Sequence, residues 1–138
     1  MIKFTVPGEP IAKGRAKVST VNGRVQLRTP TKTVNYEAKV GVLASQAMGA
    51  RFPLTGPVSL TIQAVFQIPK SWSKKRLAAN FDDPEYVTKR PDLDNIAKAI
   101  CDGMNGIVFV DDSQVAAIGY SCKVYGDRPR VDVTVSEL

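Results

Sequence analysis

The 138-residue sequence contains no histidine, and this absence excludes several kinds of chemistry at once. Without an imidazole there is no Ser–His–Asp triad, no HNH-type nuclease centre, no histidine-ligated zinc and no imidazole base. Any chemistry must therefore rest on carboxylates, lysine, hydroxyl groups or a hard metal ion.

Cysteine and long apolar runs are also scarce. The two cysteines, Cys101 and Cys122, form no CxxC pair, so neither a disulfide scaffold nor a zinc knuckle is indicated. No apolar run approaches the ~18 residues of a membrane-spanning helix, and the first ten residues lack the apolar stretch of a signal peptide. These absences predict a cytoplasmic protein without a membrane partner.

Positive charge, by contrast, is in excess. Lysine and arginine number 19 against 13 aspartates and glutamates, which gives a net charge of +6, and 43% of the residues are hydrophobic. The hydrophobic content predicts one folded domain over residues 1–138. A small basic protein commonly binds a polyanion, most often nucleic acid, but many proteins are mildly basic for no specific reason, and charge alone leaves both interpretations open.

Hydrophobic periodicity predicts a mixture of strands and helices. The predicted elements are an opening strand at 2–6, a hairpin turning at Asn22-Gly23, a helix from Thr33 to about Met48, a long antiparallel strand over 58–68, a short helix capped by Ser71, a helix from about Asp92 to Met104, a strand over about 114–125 and a final strand at 131–135. This order predicts an α/β (α+β) domain with a mixed, mostly antiparallel sheet and two main helices.

The stretch RPDLDN places two aspartates one residue apart at the start of the second main helix. Pro91 disfavours helical backbone at Arg90, so Asp92 is expected to follow extended chain, in which alternate side chains share a face. Asp92 and Asp94 would then point outward together and repel each other unless a divalent cation such as Mg²⁺ lies beside them. Helix capping, a routine use of aspartate, accounts for the same pattern.

A second acidic pair, Asp111-Asp112, follows this helix. Asp94 to Asn105 spans ~16 Å as a helix, and Gly106 to Asp111 spans ~16 Å if it runs back as extended chain. The matched lengths predict that Asp111 or Asp112 returns to the level at which the helix begins, where three carboxylates can surround one metal ion. An ordinary turn before a strand also accounts for this pair.

Lys98 lies four residues after Asp94 and four before Asp102, so all three share one helix face. A solvated ladder of ion pairs, worth roughly a few tenths of a kcal/mol per pair, is one interpretation. A lysine directed at a phosphate beside a metal ion is the other.

The stretch RPDLDNIAKAICDGMNG followed by VFVDDSQV resembles the signature of the RusA family of Holliday junction resolvases, small endonucleases common in phages and prophages. GEPIAKGRAKV and TPTKTVNYE are similar to the phage-type branch. The resemblance implies a RusA-like homodimer that binds four-way junction DNA in recombination and repair and nicks paired strands with Mg²⁺, with Mn²⁺ as a substitute and no nucleotide cofactor. It implies metal-binding aspartates at Asp92, Asp94 and Asp112 and an essential, catalytic lysine at Lys98.

DNA affinity requires cations outside this site. Lys13, Arg15 and the pair Lys89-Arg90 are expected to contact the DNA backbone, whereas solvated surface charge accounts equally well for the other basic residues. The strand 58–68 and the helix 33–48 are candidate surfaces for a two-fold dimer. Three alternatives remain: a non-catalytic junction-binding module, a flap or other branched-DNA nuclease that uses the same site, and a structural subunit with incidental charge.

Overall fold

The computed structural model describes residues 1–14 and 16–138, so the predicted DNA contact of Arg15 lies outside the described residues. The elements in these ranges are β1 (Ile2–Pro7), β2 (Lys17–Val21), β3 (Arg24–Arg28), α1 (Thr31–Met48), β4 (Val58–Gln67), α2 (Lys74–Asp82), α3 (Leu93–Met104), a 3₁₀ helix (Asp112–Gln114), β5 (Val115–Ile118), β6 (Cys122–Gly126) and β7 (Arg130–Glu137). None of the helices described is long and apolar enough to cross a membrane.

Five strands form one mixed sheet in the order β1-β7-β4, with β5 and β6 placed one after the other along the far edge of β4. β7 is antiparallel to β1 and β4, whereas β5 and β6 are parallel to β4. The α+β class with a mixed sheet is therefore confirmed, but the predicted antiparallel pairing of β4 holds along one edge only. The chain between β4 and β5 contains α2 and α3, and this long crossover returns β5 in the direction of β4.

The hydrophobic core lies between the sheet and the two long helices. β4 contributes alternate buried residues from Val58 to Phe66, and buried positions on α1 and α3 belong to the same cluster. The two helices approach closely at Gly103, where an added Cβ would lie 2.7 Å from side-chain atoms of Val40. Because this contact leaves no room for movement, the position of α3 relative to the rest of the fold is well defined.

Local signals predicted most of these elements, and two predictions are wrong. The turn of the β2–β3 hairpin does lie at Asn22-Gly23, where both residues have positive φ. The cap of α2 is Ser73 rather than Ser71, since the Ser73 side chain accepts a hydrogen bond from the Arg76 N–H at 3.2 Å. The strand predicted over 114–125 is divided into β5 and β6. The segment between them turns toward β4, where the Ser121 hydroxyl accepts a hydrogen bond from a backbone N–H of that strand.

Candidate active site

Asp92 and Asp94 stand at the exposed N-terminus of α3. Asp92 has extended backbone (φ −70°, ψ 146°), as is usual for an N-cap residue, and Asp94 lies in the first helical turn. Asp92 occupies the N-cap position, but its side chain makes no capping hydrogen bond, so capping does not account for an aspartate here. Among the described residues, no hydrogen-bonding or ion-pairing partner contacts either carboxylate.

The two acidic residues after α3, Asp111 and Asp112, make different contacts. The Asp111 carboxylate accepts a hydrogen bond from the Ser113 N–H at 3.1 Å, and the Asp111 N–H donates to Gln114 at 3.0 Å, which completes a capping box for the 3₁₀ helix. Hydrogen bonds from the side chain and the backbone of Ser113 lower the pKa of Asp111. Asp112 instead faces α3, where the Lys98 ammonium donates to it at 3.2 Å. The turn interpretation of this pair therefore applies to Asp111.

Lys98 and Asp112 lie at one end of a row of ion-paired side chains, alternately basic and acidic, that crosses α3. Lys98 also contacts Asp102 at 3.2 Å, and Asp102 in turn contacts Lys13 at 3.0 Å. Lys13 also donates to Glu37 of α1 at 2.6 Å. This lysine, a predicted DNA contact, is therefore already ion-paired with two carboxylates. Hydrogen bonds to Asp112 and then to Asp102 raise the pKa of Lys98 above its usual value.

The chain runs back along α3 after the helix ends, but this returning segment is not extended. Asn105 pairs with Phe109, and the Gly106 N–H donates to the Phe109 carbonyl at 2.8 Å, so the chain turns tightly before it runs back. Asp112 consequently meets α3 at Lys98, about 6 Å of helix rise beyond Asp94. Within residues 1–14 and 16–138, no three acidic or cysteine side chains lie close enough together to hold a metal ion. The convergence of three carboxylates on one ion stays a prediction.

The chemical type of the candidate ligands, which are carboxylates, nevertheless suits Mg²⁺. Mg²⁺ takes oxygen ligands, keeps several waters and usually needs only one or two protein carboxylates. Asp92 and Asp94 are exposed carboxylates one residue apart in the sequence, although they line two different hollows. The ion pair of Asp112 involves a lysine side chain that is 54% exposed, so this carboxylate can exchange its partner at low cost.

Two different hollows flank the aspartates at the start of α3. Asp92 lines an open cleft of about 840 Å³, whose other charged residues, among those that the structure describes, are Lys13, Lys32 and Arg90. Asp94 lines a smaller hollow of about 300 Å³ that is otherwise apolar apart from Ser121. The predicted contact residue Arg90 thus lies in the same cleft as a predicted metal ligand, and a polyanion in this cleft would meet both.

Lys123, on β6, is a site residue that the sequence did not reveal. Its ammonium donates to the carbonyls of Lys89 at 2.6 Å and Pro91 at 2.9 Å, and so holds the segment that leads into Asp92. The Lys89 side chain, a predicted DNA contact, lies 5.9 Å from the centre of the Phe66 ring. A lone lysine in a strand carries no sequence signal for such a contact, because its partners are backbone carbonyls more than thirty residues away.

Comparisons with known proteins agree with one another. The family model described as Endodeoxyribonuclease RusA matches residues 7–136, a range that includes all the residues discussed above. The chain is 37% identical over 139 residues to the uncharacterized protein YqaN of Bacillus subtilis (strain 168), with 99% of this chain and 96% of that protein covered. It is 25% identical over 137 residues to the crossover junction endodeoxyribonuclease rusA of Lactococcus phage r1t, again with 99% and 96% covered.

Proposed function

Because the chain belongs to the RusA family of endodeoxyribonucleases, we propose that it is a Mg²⁺-dependent enzyme that resolves Holliday junctions by paired, symmetric nicks. Residues 1–138 act as one endonuclease domain. The observation that carries the proposal is the grouping on α3: Asp92 and Asp94 are exposed, and the Lys98–Asp112 pair lies along the same helix. The phage relative is a crossover junction endodeoxyribonuclease, which supports the choice of a four-way junction as substrate.

Asp92, Asp94 and Asp112 are the residues that would hold the ion, and Lys98 acts beside them. Held by these residues, Mg²⁺ would supply the polarisation of a phosphodiester and a lowered pKa for a bound water. A lysine is protonated at neutral pH, so Lys98 offers a positive charge to the phosphate on which charge builds. Arg90, in the cleft next to Asp92, contacts a neighbouring phosphate and orients the strand.

A homodimer forms part of the proposal, because a junction has approximate two-fold symmetry and requires two nicks. β4, a dimer surface considered from the sequence, is paired along both edges and lies inside the sheet. β5 is better placed: Ala116, Ala117 and Ile118 are exposed and uncharged, and in the described part of the chain nothing pairs with their outer edge. Native sheets usually protect such an edge, which supports a two-fold contact between β5 strands.

The deciding experiment is incubation with a synthetic four-way junction, with and without Mg²⁺. We expect symmetric paired nicks that EDTA abolishes and that Mn²⁺ restores. A flap and a plain duplex of the same sequence serve as matched substrates. Faster cutting of the flap would identify a flap nuclease instead, and salt-sensitive junction binding without any cutting would identify a non-catalytic binding module.

A further inference from the structure

The β2–β3 hairpin stands apart from the main sheet and has two chemically different faces. Its two strands pair only with each other in the described chain, with Lys17 opposite Arg28 and Val18 opposite Leu27. Because successive side chains of a strand point to opposite faces, the cations Lys17, Arg24 and Arg28 share one face. The other face carries Val18, Val25 and Leu27, whose exposed fractions are 68%, 72% and 72%.

No acidic residue nearby in the sequence balances the positive charge of the cationic face. No aspartate or glutamate occurs between Glu9 and Glu37, while six lysines and arginines do. Lys17 and Arg28 lie directly opposite each other, and like charges in such a cross-strand pair destabilise a hairpin. A polyanion that neutralises both cations removes this repulsion. The face is therefore complementary to a row of phosphates rather than to another basic or neutral surface.

The hairpin is continuous with the candidate active site. Gly14 and Pro30, which flank the hairpin at its base, line the same open cleft as Arg90 and Asp92. Each strand has five residues and is therefore about 17 Å long, about half a turn of duplex DNA. A DNA strand that lies in the cleft would therefore pass the base of the hairpin.

We propose that this hairpin is an arm that holds a duplex arm of the DNA substrate, with Lys17, Arg24 and Arg28 against the backbone phosphates. The inference rests on the proposed function and extends it, because it assigns a DNA-binding surface outside the cleft. Contacts of this kind position the substrate without reading its sequence. Lys13, which is held by Glu37 and Asp102, contributes less than these three cations do.

The test compares two triple variants that alter opposite faces of the arm. The first replaces the cations (Lys17→Gln, Arg24→Gln, Arg28→Gln), and the second replaces the apolar residues with a strand-forming polar residue (Val18→Thr, Val25→Thr, Leu27→Thr). Affinity for a four-way junction is measured in EDTA over a range of salt concentrations. We expect the cation variant to bind at least about 10-fold more weakly at low salt and its salt slope to fall by about 2–3. The apolar variant should keep the slope of the unmodified protein.

A charge-retaining variant (Lys17→Arg, Arg24→Lys, Arg28→Lys) distinguishes loss of charge from loss of fold, and we expect it to keep both the affinity and the salt slope. Unchanged binding by the glutamine variant would overturn the assignment of the arm alone. Equal losses in the glutamine and threonine variants would overturn it as well. Failure of the unmodified protein to bind junctions would overturn the proposed function together with the arm.

Discussion

Lys98 and Asp112 are fourteen residues apart in the sequence, yet the Lys98 ammonium lies 3.2 Å from an oxygen of the Asp112 carboxylate. The contact brings the 3₁₀ helix against the middle of α3. Asp111, the neighbouring acid, makes no ion pair with Lys98 and instead caps the 3₁₀ helix through Ser113 and Gln114. Two adjacent aspartates therefore have different surroundings, and they provide a matched pair of substitutions.

We expect Asp112→Asn to reduce the rate of junction cutting by about 100-fold or more, because it removes a charged group from the reacting centre. Junction binding should persist or strengthen, since one negative charge is lost. Asp111→Asn should cut within a few-fold of the unmodified rate, because asparagine caps as well as aspartate. Single-turnover cutting of a four-way junction measures both. The reverse result would mean that Asp111 is the site residue.

Asp92→Ala separates a capping role from a role in cutting. Its side chain makes no capping hydrogen bond, so the loss of stability should stay below about 0.5 kcal/mol, whereas a true cap is worth ~1 kcal/mol. Cutting should fall by about 100-fold or more. Ser73→Ala is the matched control, because it removes the real cap of α2: it should cost about 0.5–2 kcal/mol and leave cutting intact. Urea unfolding and single-turnover cutting test both variants, and normal cutting by Asp92→Ala would refute a role for Asp92 in the reaction.

Lys123→Met should slow cutting more than it weakens junction binding. The substitution removes both hydrogen bonds that hold Lys89 and Pro91, so Asp92 loses its fixed position, while the flexible side chains of Lys89 and Arg90 keep their charge and can still reach phosphates. A misplaced group costs roughly 10- to 100-fold in rate. Lys3→Met, on the exposed part of β1, removes the same charge away from the site and should cut normally. Separate measurement of affinity and single-turnover rate decides, and a loss confined to affinity would instead assign Lys123 to DNA binding.

Gly103→Ala should destabilise the fold by about 1–3 kcal/mol, since the added methyl group overpacks the contact between α1 and α3. Its Cβ would lie 2.7 Å from Val40 and 2.9 Å from the Glu37 carbonyl. Gly56→Ala is the control, because a Cβ there meets no atom within 4 Å. Thermal and urea unfolding measure the stability of the two variants. Equal free energies of unfolding would contradict the prediction and would mean that the two helices can move apart to accommodate the methyl group.

The two cysteines should differ in reactivity. Burial, together with the charges of Asp112 and Asp102, raises the pKa of Cys101 to about 11, so its thiolate fraction at pH 8 is about 100-fold below that of a thiol with a pKa of 9. Cys122 is only half-buried, although burial also raises its pKa. Iodoacetamide labelling followed by peptide mass spectrometry should find Cys122 modified first, with labelling of Cys101 still rising up to pH 10. Equal rates at pH 8 would contradict the burial of Cys101.

Patterns that depend on neighbouring residues predicted much of the fold. The apolar stripe of α3 set both of its ends to within one residue, and Asn22-Gly23 located the hairpin, because helical periodicity and positive φ are local properties. The extended backbone at Asp92 is that of an N-cap residue, and the start of the apolar stripe at Leu93 located this position. The family resemblance likewise depended on residues close together in the sequence, and the family model confirmed it.

The sequence by itself determined which residues are candidates for the chemistry: the acids at the start of α3 and after it, the lysine between them and a chain without histidine. Only the tertiary structure decided that Asp112 rather than Asp111 meets Lys98, that Lys13 is held by two acids and that Lys123 supports the segment before Asp92. The reason is physical. Each of these contacts joins residues distant in the sequence, and its geometry depends on how the tight turn at 105–109 and the crossover from β4 to β5 place whole segments, which no local pattern records.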